Sequence, residues 1–196
     1  MFVAFWVATD WQMANKLRRC WDSACCFGFL SNQSDRATPC ERVLRDAEEG
    51  KCEIIVSALA IAEVLHLRGD GHQNLFRDSR DRIRNFFKRS YFIVQDVDRF
   101  IAEHAQELFW DFNHIGVMPK DAVHVATALA TNCAFLETFD EPLLGISGSV
   151  GGDPRLIVQP PGHDLLSLLE GGVEPGGQLR LDKASPNDDL PALPSG

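Results

Sequence analysis

The sequence predicts an α/β domain, doubly wound, in which a parallel sheet of four or five strands is covered by helices on both faces. Two observations lead there. Between residues 17 and 158, short apolar runs alternate with segments of helical period, and no internal repeat interrupts the alternation. The size agrees: 196 residues at 45% hydrophobic content suffice for one substantial core and leave little for a second.

The elements follow in order. A first strand is expected at 17–22, although Arg18 and Arg19 sit poorly in a buried strand. A helix over 37–49 is stopped by Gly50. Glu53-Ile54-Ile55-Val56 is a β-branched run of the kind that fills a buried strand. Ser57 then caps a helix reaching about Leu67, closed by Gly69. An arginine-rich helix is expected over 74–88 and a third strand over 91–94. Asp98 caps a long helix to about Asn113, on which Phe100, Ile101, His104, Ala105 and Leu108 recur at helical spacing. Pro119 suits the first turn of a helix running through Thr131, and 134–136 is the fourth strand. The apolar island 156–158 is the candidate fifth. Such folds gather their sites at the carboxyl ends of the strands.

Outside this block, residues 1–16 read as an N-terminal extension: the apolar start is short and lacks the basic segment of a signal peptide. Residues 159–196 are rich in Gly and Pro and carry six acids against two bases, which reads as a disordered acidic tail. No run approaches the ~20 apolar residues of a membrane-crossing helix, so a cytoplasmic protein is expected. The six cysteines (Cys20, Cys25, Cys26, Cys40, Cys52, Cys133) include no C-x-x-C pair, and reduced core fillers are expected, with zinc ligation the alternative. His66, His72, His104 and His163 show no ligand spacing with them. The formal net charge of −9, from 28 acidic and 19 basic residues, excludes a global positive field. A polyanion would have to be met locally, by carboxylate-held metal ions or a confined basic patch.

Four acids fall where the architecture would collect them: Asp22 after the first strand, Glu63 in the helix after the second, Asp121 at a helix start and Asp140 after the fourth strand. Singly, Asp22 and Asp121 read as helix caps and Asp140 as a turn residue. Glu63 interrupts an apolar stretch, where an ionised carboxylate needs a partner; the wet side of an amphipathic helix is the other reading. Together, clustered carboxylates repel one another unless a divalent cation balances them, and such an ion can activate a water and stabilise charge on a phosphate.

The segments Trp21-Asp22-Ser23-Ala24-Cys25-Cys26-Phe27, Ser57-Ala58-Leu59-Ala60-Ile61-Ala62-Glu63-Val64, Pro119-Lys120-Asp121-Ala122-Val123-His124-Val125-Ala126-Thr127-Ala128 and Phe135-Leu136-Glu137-Thr138-Phe139-Asp140 resemble the PIN-domain family in order and separation. The resemblance covers about 17–158 and implies a three-layer α/β/α sandwich. It implies that Asp22, Glu63, Asp121 and Asp140 bind Mg²⁺ or Mn²⁺ and hydrolyse RNA, with Ser23 and Thr138 as supporting hydroxyls. Many members are VapC-type toxins, which adds an antitoxin partner and a homodimer to the expectations. The family commonly has Asn two residues after the first Asp, where this chain has Ala24.

The basic segment around Arg77, Arg80, Arg84, Lys88 and Arg89 interleaves cations with aromatic rings and is the candidate RNA contact; a solvated face or an antitoxin contact are its alternatives. His124, one turn after Asp121, and His114 read as structural rather than catalytic. The rival to a nuclease is a non-catalytic module of the same fold that binds RNA or protein. A phosphohydrolase on a similar α/β scaffold is a third, less favoured reading.

Overall fold

A computed structural model describes residues 16–65, 67 and 76–163, with side chains from Ser79 onward in the helix that opens at Phe76. The expected extension and tail, and His66 and His72, lie outside the described residues, apart from Lys16 and residues 159–163. Five strands form one all-parallel sheet: β1 (Leu17–Trp21), β2 (Cys52–Ser57), β3 (Phe92–Gln95), β4 (Phe135–Glu137) and β5 (Ile157–Gln159). Seven described helices accompany them: α1 (Ser23–Leu30), α2 (Ala37–Glu48), α3 (Ala58–Glu63), α4 (Phe76–Phe87), α5 (Arg99–Phe112), α6 (Pro119–Ala130) and α7 (Glu141–Leu144). The sequence pattern predicts no span for α1 or α7.

The strand order is β3-β2-β1-β4-β5. The chain therefore winds outward from β1 to β3, then returns to the far side of β1 to lay down β4 and β5. That reversal leaves a crevice where the loops after β1 and β4 diverge, the usual ligand position in open α/β sheets. In-register pairing of Trp21 with both Val56 and Glu137 holds the strand ends at one level.

Alternation along the strands builds two cores. Trp21, Ile54 and Val56 face α1, α2 and α4, where Phe86, Phe87 and Phe92 fill the layer. Cys20, Ile55 and Leu136 face α5 and α6 with Ile101, Leu108 and Val125. This three-layer packing also accounts for the first strand's arginines. Arg19 is 4% exposed and its Nη1 donates to Glu137 Oε1 at 2.5 Å, while its guanidinium lies over the Phe135 ring. Arg18 reaches outward to Glu53.

One boundary differs by more than a residue or two. α3 stops at Glu63, not near Leu67: the next residue, Val64, leaves helical geometry at φ −85°, ψ 80°, and both Val64 and Leu67 are buried. The capping hydroxyl of Ser57, which accepts from Ala60 N, is as expected. All six cysteines are free and buried. No described helix is long and apolar enough to cross a membrane.

Candidate active site

The four acids come to the same edge of the sheet. Asp22 is the residue after β1 and is 3% exposed; its Oδ1 accepts from Cys25 N at 2.9 Å, so the cap reading is correct as far as it goes. Its Oδ2 accepts from Thr138 Oγ1 at 2.5 Å. The Thr138 oxygen in turn accepts from Asp140 N at 2.9 Å, which ties the loops after β1 and β4 together across the crevice. Asp140 stands at the head of α7 without capping it. Burial pushes its carboxyl above the usual aspartate range, and the charges of Asp121 and Asp22 push it further, against the pull of Lys120 and Arg36.

Asp121 enters from the opposite direction, because α6 leads into β4 and so begins at the carboxyl edge of the sheet. It is 4% exposed, and its Oδ2 accepts from Met118 N at 2.9 Å. Glu63 closes α3. Its Oε2 lies 3.0 Å from His124 Nε2, and its Oε1 lies 3.4 Å from the Lys120 ammonium, which is also 3.7 Å from Asp121 Oδ1. The His124 hydrogen bond holds the Glu63 carboxyl down at about 2, helped by a hydrogen bond from Ser23 and the charges of His124 and Lys120, against desolvation by burial.

The donor set is carboxylate oxygen throughout, which is the chemistry hard divalent cations take, and the repulsion of Asp140 by Asp121 and Asp22 is the kind a cation relieves. Among the described residues no three His, Cys, Asp or Glu side chains already close into a metal cage, and the one ammonium among the acids lies between Glu63 and Asp121. The two supporting hydroxyls have distinct places: Thr138 on Asp22, Ser23 on Glu63.

Three further residues take part: His124, which the sequence marks as structural, and Lys120 and Arg36, which it does not single out. His124 is 1% exposed and bridges Ser57 Oγ, at 3.0 Å from Nδ1, to Glu63 at Nε2, so it orients a carboxylate of the cluster. Its signal was available as the i+3 spacing from Asp121, which puts both on one helix face. Lys120 and Arg36 gave no signal, since a lysine beside an aspartate and an arginine in a loop are ordinary surface residues. The cations of α4 and of the turn after it engage elsewhere: Arg84 lies 3.8 Å from Asp81, and Arg89, two residues past the helix, contacts Glu48 and Tyr91. Arg80 and Lys88 are exposed, and the Arg77 side chain lies outside the described residues.

No curated protein matches the chain by sequence. Several solved structures share its fold, and two illustrate the likeness. One is VapBC2 from Rickettsia felis bound to a DNA fragment from their promoter, 17% identical over 72% of this chain and 97% of that one, with a TM-score of 0.52. The other is Mycobacterium tuberculosis VapC20, described as a sarcin-ricin loop cleaving toxin, 16% identical over 63% of this chain and 90% of that one, with a TM-score of 0.51. The PIN domain model matches residues 20–146, well over half of the sequence and from β1 past α7; the chain belongs to the PIN domain family.

Proposed function

We propose that the chain is an endoribonuclease that depends on Mg²⁺ or Mn²⁺, with Asp22, Glu63, Asp121 and Asp140 holding the metal. The observation that carries this reading is the convergence of four carboxylates, from four separate segments, at the crevice where the sheet reverses its winding. A bound divalent ion supplies an activated water and charge to stabilise the phosphate. The chain's own residues prepare for it. Thr138 fixes the orientation of Asp22, and His124 and Ser23 keep Glu63 ionised and aimed. Asp140, whose oxygens cap no helix, is the carboxylate best placed to act through a water.

The functional domain is 17–158 in this reading, with β5 running one residue further to Gln159, and 1–16 and the remainder of 159–196 are appendages. The similarity to a VapBC complex and to a sarcin-ricin loop cleaving toxin supports the toxin half of a toxin–antitoxin pair. In the same reading the chain is cytoplasmic and homodimeric, with the cations of α4 and of the turn after it (Arg77, Arg80, Arg84, Lys88, Arg89) contacting RNA or an antitoxin. One observation favours the non-catalytic alternative: the Lys120 ammonium already offsets two of the four acids.

Incubating mixed RNA with the purified chain, with and without Mn²⁺, tests the reading. Cleavage should require Mn²⁺ and fall by about a hundredfold or more in Asp121→Asn, which keeps an acceptor for Met118 N and so keeps the helix start. Equal residual cleavage by both proteins would leave the non-catalytic module standing.

A further inference from the structure

A cleft of about 480 Å³ opens beside Asp140, lined by Ala24, Arg36, Phe139, Asp140, Glu141 and Pro142. Arg36 is the only cation among the described residues of this lining. Its guanidinium lies over the Phe139 ring, 5.0 Å from the centroid, and its stem lies against α1 at Gly28, where a Cβ would come within 2.9 Å of the Arg36 Cβ. Glycine inside a helix costs about 0.5–1 kcal/mol relative to alanine, and here its missing side chain admits the arginine. Arg36 is thus held between a helix and a ring. Stacking engages the face of a guanidinium and leaves its in-plane N–H groups directed outward.

The position matters because a substrate phosphate must approach a group of carboxylates on a chain of net charge −9. Two cations act on Asp140. Lys120 is committed to Glu63 and Asp121, whereas the Arg36 guanidinium lies 3.8 Å from the exposed carboxylate of Asp35. Ala24 adds only a methyl group to the wall, which keeps the cleft open. The geometry points to this cleft as the subsite for a phosphate of single-stranded RNA next to the one being cut, with Arg36 donating to its oxygens and Phe139 fixing Arg36. The inference rests on the nuclease reading for the identity of the polyanion. It places an RNA contact at Arg36, separate from the cations of α4 and the turn after it.

The test is anisotropy of a short fluorescein-labelled single-stranded RNA with the full chain, in an Asp121→Asn background that stops cleavage. Mn²⁺ binding is measured in parallel by calorimetry on chains with Asp121 intact. Arg36→Ala should weaken RNA binding about tenfold and reduce the slope of log affinity against log salt by about 0.7, the share of one phosphate contact, without weakening Mn²⁺ binding. Arg36→Lys should recover part of the affinity, since it restores the charge without the planar fork. Ala24→Leu, which fills the cleft and alters no charge, should weaken RNA binding as well. Wild-type affinity and salt slope in both Arg36→Ala and Ala24→Leu would overturn the subsite, as would failure of the parent chain to bind RNA. Loss of Mn²⁺ binding alongside retained, Arg36-dependent RNA binding would instead sink the nuclease reading and leave the subsite standing.

Discussion

Glu137 and Asp140 lie three residues apart on the way out of β4, and their surroundings are opposite. Glu137 is fully buried and matched: Arg19 donates to one oxygen at 2.5 Å and Trp21 Nε1 to the other at 2.7 Å. Asp140 is half-buried, and the charges nearest in effect are two further aspartates. A buried carboxylate with its own guanidinium and indole is completed by the fold and joins β1 to β4. An excess of carboxylates at a crevice is not completed by the fold, and it is there that an external cation has something to do.

The largest effect should come from breaking the matched pair. Glu137→Leu strips Arg19 of its buried carboxylate and should cost about 3–5 kcal/mol in denaturant unfolding, whereas Arg19→Met/Glu137→Leu together should regain most of it. A double variant as unstable as the single one would show that the pair is not the unit. In the unmatched cluster, Lys120→Met removes the internal competitor for the acids and should tighten Mn²⁺ binding severalfold by calorimetry. Weaker binding would make Lys120 a support of the site. Asp140→Asn should change the metal-free melting temperature in the opposite direction from Glu137→Leu, raising it slightly through relief of repulsion while reducing stabilisation by Mn²⁺.

The pH dependence separates the members of the cluster. The Glu63 carboxyl is depressed to about 2 from an ordinary 4.5, so the native state holds its ionised form. Its contribution is fully present above pH 4.5 and is lost as pH falls toward about 2. Glu63→Gln should therefore flatten the acid limb of the stability profile in that window. Asp140 is shifted upward, so its ionisation opposes folding as pH rises through its titration, and Asp140→Asn should remove that decline. Identical profiles for the two variants would mean that the two carboxyls share one environment.

Much of this was legible in the sequence, because the alternation of apolar runs with helical segments is set by local physics. β2 was readable from its β-branched run, α5 from its Asp98 cap, whose oxygen accepts from Ile101 N, and α6 from Pro119. The convergence of four acids followed from the rule for strand ends. What could not be read was pairing across the sheet. Arg19 looked like a flaw in β1 because Glu137, its partner, is 118 residues away in the chain. Lys120 and Arg36 were invisible for the same reason: their meaning depends on which loops the winding brings together. His124 lay between these cases, with readable spacing but a contact to Glu63 that only the fold supplies.

The central claim is that a small divalent ion belongs among Asp22, Glu63, Asp121 and Asp140. Anomalous diffraction from crystals of the full chain grown with Mn²⁺ tests it most directly. A peak at about 2.1 Å from carboxylate oxygens of at least two of these acids, with Lys120 displaced from between Glu63 and Asp121, is the predicted result. The same ammonium still bridging those two acids at saturating Mn²⁺, with no anomalous signal in the crevice, would contradict it.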